Sequence, residues 1–460
     1  MPPEPVVRHY RGPSRHAAEQ AYRFDAAQAL AAGYVPVAHR WAEEWTGHTL
    51  SVAYQLESVA AGGAPAASGS APPATQAQAP PEFAPPNAQP AGPPSPGQPA
   101  PAPRRGFRLT IRTLDLHCAG EPLRMVRGGF PEVPQLPVLE RRAWLRDHAD
   151  HVRRAIVHEP RGHRDMYAAI LLPPHSADAD ICLLFMHNEG YSTMCGHGVI
   201  AVTVGLLEEG LYPASEPVTT IRYEVPAGLV AASASVVRRP DGGVAVEGVR
   251  FTNVPAYLHA RALQIRPDGV QLHGRAAEAG RLEVDLSFGG AYYGIVDAAD
   301  LGLRVVPEQA EALRRAGAAI TDALRREHTP THPTDVDLGF VYGTIIVDRE
   351  PASSPDGRAR DAQLRNATIF ADAELDRSPC GSGTSALLAQ LHARGNLQLG
   401  QEITNAGITG EVFLGRLESE ALLGTFPAVV TSVAGNAYVM GYATLVVDER
   451  DPLGEGFLLR

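Results

Sequence analysis

Two short stretches, each opening on a cysteine, constrain this chain more than any other feature. The first runs Met194-Cys195-Gly196-His197-Gly198-Val199-Ile200-Ala201 and the second Pro379-Cys380-Gly381-Ser382-Gly383-Thr384-Ser385-Ala386. Aligned on their cysteines, both read C-G-x-G-x-x-A and continue into an apolar, helix-compatible segment. A reactive unit repeated about 185 residues apart implies an internally duplicated architecture, with the two thiols facing each other across one substrate. A cysteine at a loop-to-helix junction sits where unpaired backbone N–H groups and the helix dipole favour negative charge. The expectation is a lowered thiol pKa. The adjacent glycines let backbone N–H groups approach a ligand closely. Two such loops make a cage for a carboxylate, with a thiol on each side of the neighbouring carbon. One thiolate removes a proton from one face and the opposite thiol delivers a proton to the other. Paired helix N-termini stabilise the carbanion-like charge. No lysine sits where a pyridoxal Schiff base would need it, so the expected chemistry is cofactor-free.

The four cysteines, Cys118, Cys182, Cys195 and Cys380, are too few in 460 residues for a disulfide scaffold. They fit thiol chemistry in a reducing cytoplasm, the expected location. The C-x-H spacing of Cys195 and His197 is poor for zinc, and no C-x-x-C occurs, so no metal is expected. A formal charge of −11 without a basic cluster argues against a nucleic-acid partner. No apolar run is long enough for a membrane span, and Met1 to Ala18 lacks the apolar core of a secretory signal.

Along the chain, residues 1–58 read as a small α-β-β accessory module. A helix is predicted over His16 to Ala32, with strands at Tyr34 to Ala38 and Thr49 to Leu56. Residues 59–105 are a Pro/Ala-rich linker holding about a third of the 40 prolines, too poor in apolar side chains to offset its ordering entropy. The main body, 106–460, opens on a strand over Phe107 to Asp115, followed by a polar loop from His117 to Arg124. A helix is predicted over Arg141 to Val157, and others over Val199 to Glu208, Glu308 to His328 and Ser385 to Ala393. Many short strands lie between them, so the expected class is α+β.

His187-Asn188-Glu189-Gly190-Tyr191-Ser192-Thr193-Met194-Cys195-Gly196-His197-Gly198 and Asp376-Arg377-Ser378-Pro379-Cys380-Gly381-Ser382-Gly383 closely resemble the proline racemase family. The family includes proline racemases, 4-hydroxyproline 2-epimerases and trans-3-hydroxy-L-proline dehydratases. Three further motifs are similar: Asp115 to Arg124, Glu159 to Tyr167, and Gly289-Gly290-Ala291-Tyr292. The resemblance runs from about Arg108 to the C-terminus. It implies a diaminopimelate-epimerase-like, pseudo-symmetric fold of two lobes, about 106–250 with the C-terminal strands and 251–430. Each lobe would wrap strands around a central helix, and the site would lie between them. It further implies Cys195 and Cys380 as the acid/base pair. Gly196, His197, Gly381 and Ser382 would hold the carboxylate, Asp376 would accept from the ring nitrogen, and Phe370 would wall the pyrrolidine. Family members are often dimers, so a homodimer is compatible with the resemblance.

Dehydratases of the family typically carry Thr in place of the second cysteine. Cys380 therefore favours a cofactor-independent racemase or epimerase of proline or hydroxyproline. The run His187 to Met194 looks more like the dehydratase branch, and Ser192 is placed to contact a ring hydroxyl. The alternatives are trans-3-hydroxy-L-proline dehydration to pyrroline-2-carboxylate, and an inactive family member that acts as a binding protein.

Overall fold

The computed structural model describes residues 6–12, 34–44, 47–56, 107–349 and 363–459. The chain divides into two compact units, Met1–Pro80 and Pro81–Arg460. In the first, Val6–Gly12, Tyr34–Glu44 and Gly47–Leu56 form an antiparallel sheet with Gly47–Leu56 in the middle. The strand Val6–Gly12 has no counterpart in the sequence reading. The helix expected over His16 to Ala32 and the linker 59–105 lie outside the described residues.

The second unit is α+β. Its strands form one hydrogen-bonded network that closes on itself, mostly antiparallel with parallel pairs such as Tyr292–Asp297 beside Val341–Asp348. Val244–Thr252 joins the two halves. It pairs with Gly228–Arg238 on one side and with Phe426–Gly435 on the other. The strands alternate as half-buried strands must: Gly228–Arg238 buries Val230, Ala232, Ala234 and Val236 and turns the residues between them outward.

Two helices run through this shell, Gly196–Glu208 and Gly381–Ala393. Both are predominantly apolar, and every residue from Gly196 to Leu207 and from Gly381 to Leu391 is buried. A helix without a polar face has to be enclosed. The first packs against Phe107–Cys118, Gly228–Arg238, Val244–Thr252 and Ala437–Asp448. The second packs against Tyr257–Ile265, Leu282–Phe288, Val412–Leu423 and Phe426–Gly435. Burying Val199, Ile200, Val202, Leu206 and Leu207 stabilises the first helix by about 2 kcal/mol per side chain. Ala310–Glu327, by contrast, is amphipathic and lies on the outside, burying Leu313, Ile320 and Leu324.

Three local readings change. The stretch expected to be a polar loop after Asp115 is a tight hairpin. The first strand continues to Cys118, turns at Ala119 and Gly120 with positive φ, and returns as Glu121–Gly128. The helix expected over Arg141 to Val157 is two, Val138–His148 and Asp150–Val157, with Ala149 between them out of helical geometry. The two central helices begin directly after their cysteines, three to four residues earlier than the apolar pattern indicates. Strands at Tyr257–Ile265 and Glu402–Ala406 add to those read from the sequence. Among the described residues, no helix is long and apolar enough to cross a membrane.

Candidate active site

Each cysteine caps its helix. Cys195 takes an extended backbone, φ −145 and ψ 109, and its Sγ accepts the Gly198 N–H at 3.2 Å. Cys380 Sγ accepts the Gly383 N–H at 3.3 Å in the same way. Its backbone is different, with φ 59 and ψ 112, outside the comfortable regions for a residue with a Cβ. Helical hydrogen bonding starts at the Val199 and Thr384 N–H groups, which donate to the Cys195 and Cys380 carbonyls. The N–H groups of Gly196, His197, Gly381 and Ser382 therefore have no partner within their helices.

The two helix starts meet end to end. A Cβ placed on Gly196 would lie 2.5 Å from the Gly381 Cα, and one on Gly381 would lie 2.5 Å from the Gly196 Cα. The Phe251 ring supports both from below, 2.8 and 3.0 Å from the same imaginary atoms. Only glycine fits at either position, so the repeated C-G is a packing requirement as well as a route for N–H groups to a ligand.

The surroundings of the two thiols are matched in place and unlike in chemistry. His197 Nδ1 lies 3.3 Å from Cys195 Sγ. On the other side Ser382 Oγ lies 3.8 Å from Cys380 Sγ and 2.8 Å from the Tyr293 hydroxyl. Burial holds the His197 imidazole down to about 3, only partly offset by the Pro122 carbonyl, so the ring is neutral at physiological pH.

The thiols titrate in the opposite direction to the expectation from their helix positions. Burial raises Cys195 above the ordinary thiol value, and the facing Asp376 and Cys380 raise it further. Cys380 is raised for the same first reason, with Asp376 next. The cap N–H groups of Gly198 and Gly383 lower both, but desolvation is the larger effect. Both thiols are therefore protonated at neutral pH. Asp376 is pushed up to about 6 by burial, against the Ser378 N–H and hydroxyl that donate to its Oδ1 at 2.8 and 2.7 Å.

Of the residues singled out in the sequence, Cys195, Gly196, His197, Phe370, Asp376, Cys380, Gly381 and Ser382 all line one cleft. Ser192 does not reach its surface. It is fully buried, and its hydroxyl donates to the Met194 carbonyl at 2.9 Å, behind the wall. The reading of the sequence missed Tyr167, Tyr293 and Tyr342, which complete the lining. Tyr342 stacks on Phe370 with ring centroids 5.6 Å apart, and Tyr167 closes edge-on to His197 at 4.9 Å. The buried Tyr342 hydroxyl makes no close hydrogen bond, with the Ser192 and Tyr167 hydroxyls as its neighbours. Tyr167 and Tyr293 stand in or beside family-like motifs. Tyr342 stands in an apolar strand and carries no such signal. Among the described residues no cluster of His, Cys, Asp or Glu has the geometry to hold a metal ion.

Residues 113–458 match the family model described as proline racemase. A trans-3-hydroxy-L-proline dehydratase from Bacillus cereus is 41% identical over 347 residues, spanning 75% of this chain and 97% of that protein. A 3-hydroxyproline 2-epimerase from Burkholderia multivorans is 40% identical over 353 residues, 76% of this chain and 98% of its own length. Among solved structures, a hydroxyproline epimerase from Agrobacterium vitis with bound trans-4-hydroxy-L-proline superimposes with a TM-score of 0.68 at 31% identity. That match covers 77% of this chain and 96% of that one.

Proposed function

The chain belongs to the proline racemase family, and we propose that it acts without a cofactor at the α-carbon of a hydroxylated proline, inverting it between the thiols of Cys195 and Cys380. The observation that carries this reading is the pair of thiols at abutting helix N-termini in one cleft. The N–H groups of Gly196, His197, Gly381 and Ser382 receive the substrate carboxylate, where charge grows as the α-proton leaves. Asp376 accepts from the ring nitrogen. The cationic ring nitrogen next to Asp376 offsets that carboxylate's share of what holds the thiols protonated, a share smaller than that of burial, and so eases the ionisation of one of them. Each thiolate raises the pKa of the other, so the pair carries one charge at most. This is the matched acid and base that a two-face proton transfer needs. Phe370, Tyr342 and Tyr167 wall the ring.

A hydroxylated ring is favoured over proline because the relatives and the solved structure compared above are named for hydroxyprolines. A second reading, dehydration of trans-3-hydroxy-L-proline, is favoured by the 41% identity to a protein of that name. The retained Cys380, where dehydratases of the family typically carry Thr, supports inversion over dehydration.

Incubation in D2O with L-proline, trans-4-hydroxy-L-proline and trans-3-hydroxy-L-proline in turn tests both. Deuteration at the α-carbon with a change in optical rotation is the expected outcome for at least one hydroxylated substrate. Pyrroline-2-carboxylate from the 3-hydroxy substrate without epimer would select dehydration. No exchange on any of the three would sink the assignment.

A further inference from the structure

The two thiols differ in what it takes to hold them. Cys195 sits in an ordinary extended conformation, whereas Cys380 sits at φ 59 and ψ 112. A residue with a Cβ stays there only when its surroundings over-determine it. Those surroundings trace back to the first half of the chain. The hairpin turn at Ala119 and Gly120 delivers Glu121, whose side chain is fully buried. Glu121 Oε2 accepts the backbone N–H of Arg377, 256 positions away, at 2.7 Å. The turn is tied a second time by Thr409, whose hydroxyl lies 3.2 Å from both the Ala119 and the Arg377 carbonyls.

From Arg377 the ties run through its chain neighbours to the Cys380 backbone. Asp376 Oδ1 accepts from the Ser378 N–H and hydroxyl, and Ser378 Oγ accepts the Cys380 N–H at 3.1 Å. Arg377 is held from the side by Asp165, 3.3 Å from its guanidinium, and Asp165 is held in turn by Arg314 at 2.8 Å. We propose that Glu121 is a positioning residue for the second thiol: by fixing the Arg377 backbone it maintains the strained Cys380 conformation, and it leaves Cys195 unaffected. Cys195 has no need of such an anchor, which accounts for a single Glu121 serving a duplicated site. The proposal takes from the proposed function only that Cys380 meets the substrate.

Glu121→Ala removes the anchor, while Glu121→Gln retains an oxygen that accepts the Arg377 N–H. Iodoacetamide alkylation of the full chain, followed peptide by peptide by mass spectrometry, reads each thiol independently of turnover. In Glu121→Ala the Cys380 rate is expected to change by about tenfold or more, with Cys195 within about twofold of wild type, the scale on which small misplacements act. Glu121→Gln is expected to restore Cys380. In turnover, proton abstraction from the Cys380 face falls with KM little changed, and abstraction from the Cys195 face persists. If Glu121→Ala does not fold, Thr409→Val weakens the same tie and is expected to shift Cys380 alone, in the same direction. Equal changes at both thiols, no change at either, or no rescue by Glu121→Gln would overturn the proposal. A wild type inert toward all three prolines with selective alkylation intact would fault the proposed reaction and leave the role of Glu121 standing.

Discussion

Replacing Asp376 with Asn tests the electrostatic cost of the site. Asp376 is fully enclosed, and burial moves its carboxyl from an ordinary 3.8 to about 6. At about 1.4 kcal/mol per pKa unit, keeping it ionised in the folded protein costs about 3 kcal/mol. The sign follows from the direction of the shift. Below pH 3.8 the group is protonated in both states and costs nothing. As pH rises toward 6 the unfolded chain ionises first, and stability falls until the folded group ionises too. Asn keeps an oxygen for the Ser378 N–H and hydroxyl and carries no charge. Glu121, also raised by burial and by Asp376, shares the relief. The variant is therefore expected to exceed wild type in urea unfolding by up to about 3 kcal/mol at pH 8, shrinking below about 1 kcal/mol at pH 4. The same change should remove the acid limb of kcat/KM near pH 6, because only the ionised carboxylate supplies a charge opposite to that of a protonated ring nitrogen, and Asn carries none at any pH. A stability gain of equal size at both pH values, or none at pH 8, would refute the charge argument.

Other outcomes follow from the geometry. Gly196→Ala puts a Cβ 2.5 Å from the Gly381 backbone, so the helix starts must separate. A loss of about a hundredfold in kcat/KM is expected in steady-state assays. Cys380→Thr should abolish formation of the opposite epimer while α-deuteration continues at Cys195. Unchanged inversion would remove Cys380 from its role.

Both cysteine loops were legible because their glycines answer to two demands at once. Gly196 and Gly381 must let two backbones touch, and a Cβ on Gly198 would lie 2.3 Å from the Phe185 ring. Requirements of that kind leave a motif in one dimension. The α+β class was legible too, since half-buried strands alternate and enclosed helices do not. Tyr342 was not legible: in a strand buried on both faces, a tyrosine that lines a cleft reads like one that fills a core. The hairpin at Ala119 was hidden because His117, Glu121 and Arg124 suggest a solvated loop. In the fold Glu121 is fully buried on a partner 256 residues away, and Arg124 is satisfied by Asp115 and the Ile156 and Arg161 carbonyls.

The thiol pKa values are where local reasoning and the fold diverge most. A helix N-terminus lowers a thiol, and both caps are present as expected. Enclosing the two caps against each other excludes the water that would solvate a thiolate, a loss larger than the gain from the cap N–H groups, and Asp376 adds a like charge. The unfavourable contributions are concentrated at the cleft: a buried carboxyl held at about 6 and a cysteine backbone at φ 59, beside two thiols that burial keeps protonated. On the proposed reaction a zwitterionic amino acid would relieve the buried carboxyl through its cationic nitrogen and the unpartnered helix N–H groups through its carboxylate. A neutral or purely anionic ligand of the same size relieves at most one. On the proposed reaction, selectivity for an amino acid would reside in charge placement, and the walls of Phe370, Tyr342 and Tyr167 would choose the ring.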